Sequence, residues 1–77
     1  MTDTYIVEVT VQNVSDTAMG AAVAMGWIRD EIESFQLNDV DSFSEENGIR
    51  YHYYMQLSDA QFEKLDSKDG FHCLGVV

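Results

Sequence analysis

The N-terminal part of the chain alternates strictly between apolar and polar positions. An alternation with a period of two residues is typical of a β-strand that is buried on one face. We therefore predict a first strand over Tyr5–Gln12. Its core-facing side chains are Tyr5, Val7, Val9 and Val11.

The spacing of apolar residues changes to three and four between Thr17 and Phe35. One stripe with this spacing contains Ala18, Ala21, Met25, Ile28, Ile32 and Phe35. The spacing predicts an amphipathic helix whose stripe faces the core, and Ser15 or Asp16 is suited to cap its N-terminus. The opposite side of an ideal helix would then be apolar as well. We call it the apolar helix back, and it consists of Met19, Gly20, Val23, Ala24 and Trp27.

A tryptophan on the back of a surface helix favours a protein–protein contact. The contact would be made with a second copy or with another chain, and the small residues Gly20 and Ala24 would let another backbone approach closely. The alternative is that the N-terminus, or a rotation of the helix, covers Trp27 within the monomer. The sequence leaves both interpretations open.

Two further strands are predicted over Leu37–Ser44 and Ile49–Leu57. The segment between them contains Asn47 and Gly48, and an Asn-Gly pair between two extended segments is the strongest short indication of a β-hairpin. A two-residue turn at this pair places Glu46 opposite Ile49. The same register sets every later pair along the hairpin.

A short second helix follows the hairpin. The segment Ser58-Asp59-Ala60-Gln61 has the pattern of a capping box, and Phe62 and Leu65 would face the core. Gly70 is suited to the left-handed conformation that ends many helices. A last strand is predicted over Phe71–Val77.

The predicted order is β-α-β-β-α-β in a single domain of residues 1–77. This order predicts an α+β, ferredoxin-like fold, with a four-stranded antiparallel sheet and two helices on one face. The other face, which we call the open sheet face, would remain uncovered. Its candidate binding residues are Glu8, Phe43, His52 and Tyr54, and the predicted register pairs Phe43 with His52.

The open sheet face has two interpretations beyond an ordinary solvated surface. RNA-recognition domains with this topology stack bases on aromatic residues of their central strands. Here carboxylates surround His52 and Tyr54, and Arg50 is the single basic residue nearby, where Glu45 is placed to pair with it. Docking on a basic protein surface is therefore favoured over RNA binding.

The chain is strongly acidic, since 4 basic and 14 acidic residues give a net charge of 4 − 14 = −10. Nucleic acids and anionic membranes bind mainly through lysine and arginine, so we expect no direct nucleic-acid or membrane partner. A basic protein surface is favoured, either by specific pairing or by steering. The simpler alternative is that the charge keeps the domain soluble. The densest cluster, which we call the acidic patch, contains Asp30, Glu31, Glu33, Asp39, Asp41, Glu45 and Glu46.

The candidate catalytic residues do not combine into a recognisable site. His72 and Cys73 are neighbours in a predicted strand, so their side chains point to opposite faces and cannot form a nucleophile–base pair. The chain has two histidines and one cysteine, which leaves a metal site short of its usual ligands. No glycine-rich phosphate-binding loop is present. We therefore expect a protein that is not an enzyme and that holds no metal or cofactor.

The sequence gives indirect evidence about the cellular compartment of the protein. Cys73 is the single cysteine, which excludes an internal disulfide and fits a reducing compartment such as the cytoplasm. No apolar run reaches the roughly 20 residues that span a bilayer, and the N-terminus lacks the basic start of a signal peptide. We expect a cytoplasmic protein.

Small size, a single domain and the acidic patch from Asp30 to Glu46 together resemble the small acidic inhibitors encoded by phages. Anti-CRISPR proteins and other nucleic-acid mimics are the best-known members of this class. The resemblance includes no sequence motif, so no functional residue is transferred from it. It implies a non-catalytic inhibitor that occupies a basic, nucleic-acid-binding surface of a target protein in the host-cell cytoplasm.

The alternative function is a homodimeric ferredoxin-like module that regulates another process or senses a ligand. Its two copies would associate through the first helix or through the sheet face. This alternative depends on apolar residues, above all Trp27, whereas the inhibitor depends on carboxylates.

Overall fold

The order of helices and strands agrees with the predicted β-α-β-β-α-β pattern in the computed structural model, which describes residues 2–77. The elements are β1 (Thr2–Gln12), α1 (Thr17–Glu31), β2 (Gln36–Glu45), β3 (Gly48–Ser58), α2 (Asp59–Asp66) and β4 (Phe71–Val76). The strands form one antiparallel sheet in the order β2-β3-β1-β4. The fold is ferredoxin-like, as predicted. Neither of the two described helices has the length and apolar character needed to cross a membrane.

The two central strands supply most of the core. β1 and β3 pair without interruption from Thr2–Ser58 to Gln12–Gly48. The inward alternation predicted for both strands is confirmed, because every second side chain is buried beneath the helices. These side chains are Tyr5, Val7, Val9 and Val11 on β1, and Ile49, Tyr51, Tyr53, Met55 and Leu57 on β3.

Helix α1 packs on the sheet in a different rotation from the predicted one. Gly20, Ala24 and Ile28 are its buried residues. The predicted core stripe is confirmed except at Ala18, which is exposed. The assignment of Gly20 and Ala24 to the apolar helix back was therefore wrong. The helix also ends at Glu31, one turn earlier than predicted.

The rotation follows from the size of the side chains beneath the helix. The hydroxyl of Tyr51 donates a hydrogen bond to the carbonyl oxygen of Thr17 at 2.7 Å, and the hydroxyl of Tyr53 donates to that of Ala21 at 2.9 Å. Two tyrosines that reach the helix backbone need small residues above them. A Cβ atom on Gly20 would collide with the Tyr51 hydroxyl, so the smallest residues face the largest ones.

The turn between β2 and β3 lies one residue earlier than predicted, which shifts the partners of β2 on β3 by two residues. Glu45 pairs with Gly48, so the turn residues are Glu46 and Asn47. The predicted pairing of Phe43 with His52 is wrong, because Phe43 pairs with Arg50 and Asp41 with His52. A shift of two residues leaves every side chain on its predicted face, since the faces of a strand alternate with a period of two.

Close contact with β1 explains why Gly48 belongs to the strand and not to the turn. A Cβ atom on Gly48 would collide with the backbone carbonyl oxygen of Val11. On the neighbouring residue, the carbonyl oxygen of Asn47 accepts a hydrogen bond from the N–H of Asn13 at 2.7 Å. Glycine is required here by the approach of a second backbone, which a hairpin rule based on turn residues does not include.

The second helix begins as predicted. The Ser58 hydroxyl accepts from the N–H of Gln61 at 3.2 Å, and the Gln61 side chain accepts from the N–H of Ser58 at 3.0 Å. These reciprocal bonds form a complete capping box. Leu65 is fully buried and Phe62, stacked on Tyr5 with ring centroids 4.4 Å apart, is half-buried.

Strand β2 lies at the edge of the sheet, beyond the two helices. It packs on β3, and all ten of its residues are exposed. Its helix-side residues Leu37 and Val40 remain 42% and 40% exposed. A bulge at Asn38 lies between them. Both faces of β2 are therefore accessible.

Candidate functional site

A carboxylate and a histidine form the centre of the open sheet face. Glu8 on β1 lies directly opposite His52 on β3. The Nε2 atom of His52 is 2.8 Å from a carboxylate oxygen of Glu8, and the two side chains are only 19% and 23% exposed. This contact links β1 and β3 on the open sheet face and restricts the orientation of both side chains.

An aromatic and cationic group lies beside this pair. The ring of Phe43 is tilted against His52 with centroids 4.9 Å apart, and the guanidinium of Arg50 lies 5.0 Å from the Phe43 centroid. Arg50 is also 3.8 Å from the carboxylate of Glu45, as predicted. The Nε atom of Arg50 is buried without a hydrogen-bond partner among residues 2–77. Arg50 therefore lies over Phe43 and forms a partly exposed ion pair with Glu45.

The third part of the face combines a tyrosine with two aspartates of β2. The Tyr54 hydroxyl donates a hydrogen bond to Oδ2 of Asp41 at 3.0 Å, and this bond raises the pKa of Tyr54. Asp39 pairs with Tyr54 across the strands, and its carboxylate accepts from the N–H of Val40 at 2.8 Å. Asp39, Asp41 and Glu45 therefore form an acidic row along β2, with aromatic rings beside it.

The structure brings together all four residues predicted for the open sheet face. Phe43 and Glu8 each contact His52, and Tyr54 is hydrogen-bonded to Asp41 of β2. Phe43 and His52, which the predicted register paired directly, are in contact as diagonal neighbours, because the strands pair Phe43 with Arg50. The alternation of faces was sufficient to place the residues on one side.

The acidic patch is not a single surface. Asp30, Glu31 and Glu33 lie at or just beyond the C-terminal end of α1, in the helix layer. The acidic row of β2 lies on the opposite face of the sheet. Glu46 occupies the hairpin turn, and β2 is 10 residues long, so this turn lies about 30 Å from the first residue of that strand. We call Asp30, Glu31 and Glu33 the helix-layer acids.

The helix-layer acids are also engaged differently. Glu31 is 18% exposed and forms an ion pair with Lys68 at 3.1 Å. Glu31 and Glu33 lie beside Lys64 in a shallow depression between the two helices. The acidic row of β2 lies beside the rings of Phe43 and Tyr54, whereas Asp30 and Glu31 line a cleft together with Trp27.

The exposed side of α1 is smaller than the predicted apolar helix back. Met19, Val23 and Trp27 are 61%, 39% and 43% exposed, and we call these three residues the α1 apolar side. Trp27 borders a cleft of about 330 Å³ that Lys68 and Phe71 also line. The exposure of Trp27 agrees with the prediction, whereas its proposed neighbours Gly20 and Ala24 lie in the core.

Strand β4 separates the two residues that were considered as a nucleophile and a base. His72 pairs with Glu8 and is exposed, while Cys73 pairs with Val7 and is half-buried on the helix side. Burial raises the pKa of the Cys73 thiol to about 11, so the thiol is protonated near neutral pH. Among residues 2–77, no three histidine, cysteine or acidic side chains are grouped to hold a metal ion.

Comparison of the chain with protein-family models, with curated proteins and with solved structures finds no significant match.

Proposed function

We propose that this chain is a non-catalytic, acidic protein-binding inhibitor of the anti-CRISPR-like class. Its open sheet face docks on a basic, nucleic-acid-binding surface of a target protein in the cytoplasm of the host cell. The observation that carries the proposal is the acidic row Asp39, Asp41 and Glu45 beside the rings of Phe43 and Tyr54.

The charge of the chain supports a basic target. A net charge of −10 accelerates the encounter with a cationic surface and repels nucleic acid. Two of the three acidic-row carboxylates, those of Asp39 and Asp41, lack an ion pair with Lys or Arg among the described residues. They are free to pair with lysine or arginine side chains of a target.

The aromatic residues give the face more than charge. Tyrosine is enriched at the centres of protein interfaces, because a rigid ring buries a large area at a small entropic cost. Tyr54 and Phe43 provide rings at the level of the carboxylates, and His52 is fixed by Glu8. Because these three side chains can make specific contacts, they favour a protein partner over small cations in solution.

The test compares two charge-neutralised variants of equal net charge. One carries Asp39→Asn, Asp41→Asn and Glu45→Gln, and the other carries the same kind of change in the helix-layer acids, Asp30→Asn, Glu31→Gln and Glu33→Gln. Each has a net charge of −10 + 3 = −7, and each loses one ion pair, Glu45–Arg50 or Glu31–Lys68. The immobilised proteins are used to capture partners from host lysate.

We expect the wild type and the helix-layer variant to retain the same nucleic-acid-handling protein. This protein should elute at about 0.5 M salt, where charges are strongly screened, and added DNA or RNA should compete with it. The acidic-row variant should retain much less. Equal losses in both variants would show that overall charge, and not the open sheet face, determines binding.

A second candidate function is supported by the α1 apolar side. The exposure of Trp27, Val23 and Met19 on one helix is unusual in a chain with 14 acidic residues, and uncharged patches of this kind mark association sites. A homodimeric regulatory or ligand-sensing module would use this surface. Trp27→Glu should then convert a dimer into a monomer in sedimentation experiments.

The two candidates are separated by the same variant. If the chain is the inhibitor, Trp27→Glu leaves both the mass in solution and the capture of the basic target unchanged. Ala22→Glu, at an exposed position on the same helix, is the matched control for the added charge. A dimeric mass that Trp27→Glu abolishes and Ala22→Glu preserves would support the module.

A further inference from the structure

The outer edge of β2 is an unpaired strand edge. Within residues 2–77 the sheet ends at β2, whose single neighbour is β3, and all ten residues of the strand are exposed. An open edge presents N–H and C=O groups that can pair with a strand of another chain. This edge runs along the acidic row. A single partner could therefore contact both the free backbone groups of β2 and the carboxylates of the acidic row.

The opposite edge of the sheet is less suited to such pairing. β4 has six residues, its register with β1 shifts between Ile6 and Val7, and Gly75 has a φ of 123°. Helix α2 packs against it. A bulged, short and partly covered strand is a usual protection against edge pairing.

The direction of the free amides on β2 follows from one hydrogen bond. The N–H of Val40 donates to the carboxylate of Asp39 at 2.8 Å, so it lies on the outer edge and not in the ladder with β3. Amides of a strand alternate between its two edges. The N–H groups of Ser42 and Ser44 therefore also point outward, where an added strand would accept them.

The carboxylates of the acidic row determine which kind of strand can pair with the edge of β2. A second copy of β2 would place carboxylates near those of Asp39, Asp41 and Glu45, and like charges on adjacent strands repel. A basic strand would place lysine or arginine against them. On the helix side the partner would meet Val40, which is 40% exposed, so apolar residues fit there.

We propose that the edge of β2 binds an extended segment of the target in which basic and apolar residues alternate. The segment adds a fifth strand to the sheet, with its basic side chains on the open sheet face. This inference rests on the proposed function, because it uses the same carboxylates, and it adds the backbone of β2 as the second binding element.

The test uses a short, end-blocked peptide of alternating lysine and valine, whose binding is measured by calorimetry. Ser42→Pro removes an outward N–H while keeping every carboxylate, and proline is tolerated at an edge position of this kind. Ser42→Ala is the matched control that keeps the N–H. A second peptide carries N-methyl groups on all of its interior amides, so that it has the same charge but neither of its edges can pair with a strand.

We expect Ser42→Pro to weaken binding of the first peptide by about tenfold or more, and Ser42→Ala to leave it unchanged. The N-methylated peptide should bind the wild-type protein with a similar loss. This second comparison stands even if Ser42→Pro does not fold.

Three results would contradict one proposal or the other. Failure of the alternating peptide to bind, or equal binding by the two peptides and by Ser42→Pro, overturns edge pairing. If equal binding is accompanied by a selective loss in the acidic-row variant, the proposed function survives without the added strand. If the acidic-row and helix-layer variants bind the peptide equally, the proposed function fails as well.

Discussion

A Cβ atom on Gly20 would collide with the hydroxyl of Tyr51, so α1 and β3 are in close contact at this glycine and this tyrosine. The same hydroxyl donates to the carbonyl oxygen of Thr17. This contact fixes the rotation of α1, which in turn leaves Met19, Val23 and Trp27 exposed. The surface available to partners is thus set in part by a single close contact in the core.

Substitution of Gly20 should destabilise the fold in spite of a gain in helix propensity. Gly20→Ala gains roughly 1 kcal/mol from propensity, but overpacking against Tyr51 costs about 1–3 kcal/mol. We expect a net loss of about 1 kcal/mol in the free energy of unfolding, measured by urea denaturation.

The matched control for this substitution is Gly26→Ala. Gly26 is exposed on the same helix, and no atom lies within 4 Å of its added Cβ, so the substitution should stabilise by about 0.5–1 kcal/mol. Removing the hydroxyl with Tyr51→Phe should reduce the cost of Gly20→Ala. A stabilised Gly20→Ala variant would contradict the described packing.

Substitution of Gly48 tests its close contact with β1, and NMR tests the hairpin register. In the described register the added methyl meets the carbonyl oxygen of Val11, and we expect a loss of about 1–3 kcal/mol. Backbone amide–amide contacts measured by NMR would show directly whether Glu45 or Glu46 pairs across the hairpin.

Buried tyrosine should make the fold sensitive to high pH. Burial raises the pKa of Tyr53 from 10.0 to about 12. The folded protein holds this proton more tightly than the unfolded chain, so the stabilisation is complete below pH 10 and is lost as the pH rises toward 12. The free energy of unfolding, measured by urea denaturation across this range, should fall.

The Cys73 thiol should also contribute to the loss of stability at alkaline pH. Its pKa is raised from 9.0 to about 11, so its contribution disappears at lower pH than that of Tyr53. Cys73→Ala should remove the first part of the loss. Tyr53→Phe should reduce the later part, to which Tyr5 and Tyr51 also contribute because burial raises their pKa values. It should also lower stability below pH 10, because the bond to Ala21 is lost. An unfolding free energy that is constant between pH 9 and pH 12 would contradict this account.

The sequence was sufficient to predict the order of helices and strands, but not the rotation of α1 or the register of the hairpin. The alternation in β1 and β3 and the capping box at Ser58 identify their structures locally. The rotation of α1 depends on Tyr51 and Tyr53, which lie more than thirty positions further along the chain, and apolar spacing does not include that information. The register of the hairpin likewise depends on contact between Gly48 and β1.

The candidate site was predicted in part for the same reason. Face alternation placed Glu8 and His52 on one side, since it depends only on the strand. The acidic patch was defined by nearness in sequence, but the end of α1 at Glu31 and the turn into β2 direct its members to different layers. Nearness in sequence therefore does not define a common surface where the chain passes from a helix into a strand.

The most direct test of the central claim is to map the cationic binding surface by NMR. The alternating lysine–valine peptide is titrated into isotopically labelled protein at low salt and again at about 0.5 M salt, where screening is strong. The account predicts amide shifts concentrated in β2 and in the adjoining residues 50–54 of β3, and their loss at high salt. Shifts concentrated on α1 around Glu31 and Trp27, or insensitive to salt, would contradict it.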